Sequence, residues 1–98
     1  MKILALEKEV LGASQDKLTD EILKQEAACA WQLHQSGVIR ELYFRADRHA
    51  AVLMLECGSV DEAKAILSTL PLVKQKMIDF DIIPLAAYSG FARLFQDQ

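Results

Sequence analysis

Two short stretches of this chain are apolar at every position: Ile3-Leu4-Ala5-Leu6 and Ala50-Ala51-Val52-Leu53-Met54-Leu55. Apolar runs of this length bounded by polar turns read as strands, and a strand without alternation has both faces covered. The fold must therefore place these two segments in the interior of a sheet. The remaining elements are read around them. Lys2 to Val10 predicts the first strand, broken by Gly12-Ala13-Ser14. A long helix follows, opening near Ser14 or Thr19, with Asp16, Asp20 and Glu21 suiting its N-terminal end. Leu18, Ile22, Cys29, Ala30 and Leu33 recur at three- and four-residue spacing as its buried stripe, and Gly37 stops it.

Val38 to Arg45 alternates, with Val38, Leu42 and Phe44 on one side and Glu41, Tyr43 and Arg45 on the other. After the polar turn Asp47-Arg48-His49 comes the two-sided apolar strand. Ser59 predicts the cap of a second helix, with Asp61 and Glu62 in its first turn and Ala63, Ile66, Leu67 and Leu70 as its stripe. Pro71 ends it. Ile78 to Leu85 is the last strand, with Ile78, Phe80 and Ile82 on one face and Asp79 and Asp81 opposite.

The order is strand–helix–strand–strand–helix–strand. Crossover handedness makes this an α+β, ferredoxin-like domain: a four-stranded antiparallel sheet, first and third strands central, two helices on one face. Residues 1–98 form one domain, with 86–98 as a C-terminal arm. The helices leave the other sheet face bare, and burial of its apolar side chains is worth roughly 1.5–3 kcal/mol each, so a homo-oligomer, a dimer or larger, is expected. Tyr88, Phe91, Leu94 and Phe95 in the arm also need cover, on a neighbour or over a pocket mouth.

Charge and composition exclude several classes. The net charge is −3 with 11 scattered basic residues, and no Lys/Arg cluster marks a nucleic-acid face. The N-terminal apolar run is too short for a signal peptide, and no stretch is long enough for a membrane span. Cys29 and Cys57 lie inside apolar runs as small core residues, pointing to a reducing, cytoplasmic setting. Phosphate-loop, hydrolase-elbow and zinc spacings are all missing, so neither a metal nor a cofactor is expected.

Glu26 is the residue that invites chemistry. It sits within the first helix's apolar stripe, where desolvation raises a carboxyl pKa and makes a proton shuttle. The plainer alternative is a carboxylate at the stripe's edge, paired with Lys24 or solvent. Arg40, Arg45, Arg48 and His49 supply positive charge on and after the second strand, and Arg45 beside Tyr43 suits an acidic substrate. Exposed edge-strand arginines, however, commonly have no function beyond solubility. His34 near a helix C-terminus and the Asp79/Asp81 pair are read as structural.

The collinear set Leu33…Gly37, Arg40-Glu41-Leu42-Tyr43, Ser59-Val60, Leu70-Pro71-Leu72 and Met77-Ile78-Asp79 resembles the muconolactone isomerase family. The resemblance implies a dimeric α+β barrel and a pocket for a small organic acid or lactone. It also implies cofactor-free proton transfer, with Glu26 at the family's helix glutamate and Arg40 at its strand arginine. Tyr43 stands where the family tends to have Trp. Phe44 replaces a usually basic residue, with Arg45 on the opposite face. Arg48 occupies the position of a turn histidine, with His49 one place later, and Ala86-Ala87-Tyr88 replaces a His-Pro.

Two functions are therefore expected to compete. One is an isomerase-like enzyme with catalytic Glu26 and with Arg40, Tyr43, Arg45 and His49 around the substrate. The other is a non-catalytic small-molecule-binding or assembly module of the same fold. A haem-handling monooxygenase would need a histidine facing the pocket, and His34 and His49 read as poorly placed for that. An apolar cavity lining Glu26 separates the first two.

Overall fold

The computed structural model describes residues 1–96. The elements are β1 (Lys2–Glu9), α1 (Asp20–Gln35), β2 (Ile39–Phe44), β3 (Ala51–Glu56), α2 (Val60–Leu67), α3 (Pro71–Lys74) and β4 (Ile78–Pro84). Short 3-10 turns span Gln15–Lys17 and Gly90–Phe95. The strands form one antiparallel sheet in the order β2-β3-β1-β4, so the two doubly apolar strands are the central ones.

The register explains which side chains meet the helices. Ile3, Ala5 and Glu7 of β1 pair with Pro84, Ile82 and Phe80 of β4, and Ile3 and Ala5 pair with Leu55 and Leu53 of β3. This face carries the core. Ile3, Ile39, Leu55 and Leu70 are fully buried and pack with Ala63, Leu67, Phe80 and Cys57. Each such aliphatic contributes roughly 1.5–3 kcal/mol relative to exposure. The other face shows Leu4, Leu6, Val52 and Met54 half-buried, with Ile83 and Tyr43 exposed beside them.

β2 departs from simple alternation. A β-bulge between Ile39 and Glu41 inserts an extra residue, so Ile39 and Leu42 both face the helices although they are three apart. The buried residue at the strand start is therefore Ile39, not Val38. Beyond the bulge the expected alternation holds, with Leu42 and Phe44 on the helix side and Glu41 and Tyr43 on the other.

Local chemistry sets the helix ends. Thr19 rather than Ser14 caps α1, its Oγ1 accepting from the Ile22 amide at 3.2 Å. At the other end Gly37 adopts φ 85°, and the Gly37 and Val38 amides donate to the His34 and Leu33 carbonyls. That pair of bonds is a Schellman motif, whose left-handed position favours glycine. Ser59 caps α2 by accepting from the Glu62 amide, while the Glu62 carboxylate accepts from the Gly58 amide. Pro71 starts the four-residue α3 after α2 has closed at Leu67. Proline suits a first helical position because it has no amide hydrogen to leave unpaired.

The chain beyond β4 runs away from the body. Tyr88, Phe91, Leu94 and Phe95 remain 67–73% exposed, with Tyr88 and Phe91 in an edge-to-face pair at 5.0 Å. The radius of gyration of 16.4 Å exceeds the roughly 13 Å of a compact chain this long.

Candidate functional site

Between α1, the ends of β1 and β2, and the segment after α2 lies an open cleft of about 990 Å3. Its walls are mostly apolar: Ala30, Trp31, Leu42, Phe44, Leu72 and Met77 all contribute. That size and lining are typical of small-molecule sites. The polar groups in the wall are few and specific, chiefly Glu7, Glu9, Glu26, His34 and His49.

Glu26 reaches the cleft because α1 presents Ile22, Glu26, Cys29, Ala30 and Leu33 on one half-buried stripe. Its Oε1 accepts a hydrogen bond from the Leu72 amide at 2.9 Å. Leu72 follows Pro71 at the start of α3, where amides have no partner within the helix, and Leu70 at the cap position has no side-chain acceptor to offer. Glu26, 46 residues away in sequence, takes that role. Burial pushes the Glu26 carboxyl above the usual carboxylate range; the Leu72 amide opposes this, and the nearby Glu7 charge reinforces it.

Glu7 is the group that sequence reasoning missed. It lies on the helix side of β1 by simple alternation from Ile3 and Ala5, at the point where the apolar run ends and charge resumes. Its Oε1 accepts from the Ala51 amide at 3.0 Å, at the start of β3 just past the last β1–β3 pair, Leu6 with Val52. The period-two signal was present in the sequence. Only the pairing shows that Glu7 and Glu26 converge. Among the described residues, the second oxygen of each carboxylate has no hydrogen-bond partner.

Both histidines line the cleft, which corrects the reading that they are poorly placed for it. His34 Nδ1 lies 3.0 Å from the Ile39 carbonyl oxygen. A carbonyl only accepts, so Nδ1 carries the hydrogen and a neutral ring keeps its lone pair on Nε2. The His49 ring stacks on Phe44 at 4.3 Å, which the turn Asp47-Arg48-His49 allows by folding back over the end of β2.

The other residues singled out from the sequence lie off the cleft. Tyr43 and Arg45 follow β2's alternation to the opposite face. Tyr43 donates to Glu41 at 2.7 Å, which holds its phenol above the usual tyrosine range. Arg45 makes a two-pronged bond to Asp47 at 2.8 and 2.6 Å. Arg40, at the bulge, turns back to donate to the Gly37 carbonyl. The structure thus brings Glu26 and His49 to one cavity and leaves Arg40, Tyr43 and Arg45 outside it. Among the described residues, no cluster of three or more His, Cys, Asp or Glu side chains is arranged to hold a metal. No helix among them is long and apolar enough to cross a membrane.

Residues 6–90 match the muconolactone delta-isomerase family. The chain belongs to that family. The fold agrees: a crystal structure of muconolactone isomerase superposes with a TM-score of 0.72 at 22% identity, over 91% of this chain and 92% of that one. A second similar structure is 5-chloro-2-hydroxyhydroquinone dehydrochlorinase from Burkholderia phenoliruptrix AC1100, bound to 2,5-dihydroxybenzoquinone. It matches with a TM-score of 0.60 at 17% identity, over 92% of this chain and 98% of that one. No curated protein sequence matches significantly. Within the family, this chain's cleft is built around Glu26 on α1 and the Leu70-Pro71-Leu72 segment that its carboxylate holds.

Proposed function

We propose that this protein is a cofactor-free isomerase-type enzyme that moves a proton on a small unsaturated lactone or organic acid, with Glu26 as the shuttle. The observation that carries the reading is the Glu26 carboxyl itself, half-buried in an apolar cleft with one oxygen fixed by the Leu72 amide. Fixing Oε1 leaves Oε2 as the oxygen that exchanges a proton with a bound ring. A carboxyl pKa raised by burial above the usual carboxylate range suits both halves of such a transfer. In the forward step Oε2 takes a proton from a carbon next to the substrate carbonyl, and the released electron pair moves into the conjugated system. Glu26 then returns the proton to the far end, shifting the double bond with no net oxidation. His49, stacked on Phe44 at the wall, is proposed to contact the ring. Family membership supports the reaction class. The half-exposed apolar side chains Leu4, Leu6, Val52 and Met54 support pairing through the open sheet face into a homo-oligomer.

The test is Glu26→Gln, assayed with unsaturated five-membered lactones by following double-bond migration in the ultraviolet. The expected loss in turnover is about 10²–10⁴-fold, with circular dichroism unchanged. Turnover within about threefold of wild type, well short of that range, rules out the shuttle role.

A further inference from the structure

The sign of the charges around the cleft narrows the ligand class, an inference that rests on the isomerase reading of the same site. Three glutamates line the cavity, Glu7, Glu9 and Glu26, and two of them are anchored by backbone amides with their second oxygens free. Among the described residues, no lysine or arginine contributes to the wall. Three cations of the neighbouring strands are engaged elsewhere: Arg40 with the Gly37 carbonyl, Arg45 with Asp47, and Lys8 with Asp81 at 3.1 Å. A carboxylate-bearing ligand would enter an apolar cleft with no lysine or arginine in its wall and with glutamates already in place, where apolar walls leave like charges less screened than in bulk water.

We propose that the cleft takes an electrically neutral unsaturated ring, a lactone or cyclic enone with a hydroxyl or N–H donor, and discriminates against the same ring carrying a carboxylate. The free oxygens of Glu7 and Glu26 accept from the donor group. Trp31, Leu42 and Phe44 cover the ring, with the His34 Nε2 lone pair a further acceptor at the wall. This places the protein away from small anionic acids and toward neutral or hydroxylated cyclic compounds.

Two isosteric probes decide the matter: an unsaturated five-membered lactone with a carboxymethyl side chain, and the same lactone as its carboxamide. Calorimetry on the intact wild-type protein at pH 7.5 and low salt should show the carboxamide binding at least about tenfold more tightly, the separation one unscreened like-charge contact provides. Raising the salt should narrow the gap. Glu7→Gln, which keeps an oxygen for the Ala51 amide while removing the charge, should narrow it further. Equal or tighter binding of the carboxylate overturns the proposal, and so does a carboxamide that fails to bind at millimolar concentration. The underlying reading fails separately: if Glu26→Gln still isomerises either lactone, the shuttle role is lost whatever the binding preference. If the carboxylate is preferred but Glu26→Gln is inactive, only the ligand class is wrong.

Discussion

Glu26 has a structural duty as well as a proposed chemical one, and two substitutions at this position separate the two. Its Oε1 is the acceptor for the Leu72 amide at the start of α3. Glu26→Ala removes the acceptor and leaves that amide to water. A hydrogen bond to a charged group is worth about 1.5–3 kcal/mol when buried. Glu26 is only half-buried, so water replaces part of the bond, and the net loss should be about 1 kcal/mol, or about 4–8 °C in Tm for a domain of this size.

Glu26→Gln keeps an oxygen acceptor of the same reach and removes the ionisable group. Because the folded-state pKa is raised, mainly by burial, the fold disfavours the ionised carboxylate. The stabilising contribution of the protonated form is complete below the unfolded value, about 4.3, and is lost as pH rises through the folded value. Glu26→Gln should therefore melt at or slightly above wild type at pH 7, and this advantage should fade as pH is lowered to about 4. Differential scanning calorimetry of the three proteins across pH 4–8 is the assay. The reasoning is refuted if Gln loses as much stability as Ala, or if the Gln-minus-wild-type difference does not change with pH.

Other parts of the molecule make independent predictions. Leu55→Ala, at a fully buried position between β1 and β2, should cost about 2–5 kcal/mol and lower Tm by more than about 10 °C in calorimetry. Ser59→Ala removes the α2 cap to the Glu62 amide and should cost about 1 kcal/mol, read as a small, pH-independent drop in denaturant midpoint. Leu4→Glu on the open sheet face should shift sedimentation velocity toward the monomer without altering the circular dichroism of the chain; an unchanged sedimentation coefficient would show that this face is not the contact. Deleting the residues after Leu85 should weaken association or lower Tm by several degrees, and identical mass and melting curves would mark the arm as dispensable.

The sequence by itself determined the fold, because strand and helix patterning is local. Two strands apolar on both faces had to be central, and the strand–helix order then left one chiral arrangement with both helices on one side. It also placed Glu26 on the buried stripe of α1, since helical periodicity depends only on spacing. What it did not decide is which polar groups meet. The bulge at Ile39 to Glu41 shifted which β2 residues face the helices. Arg40 and Arg45 found partners close in sequence, Gly37 and Asp47, that satisfied them away from the cleft. Convergence of Glu7, Glu26 and the two histidines depends on the packing of α1 against β2 and α3 and on long-range bonds to Leu72 and Ala51. Those bonds join residues 46 and 44 positions apart, a separation that no periodicity encodes and only tertiary packing brings to 3 Å.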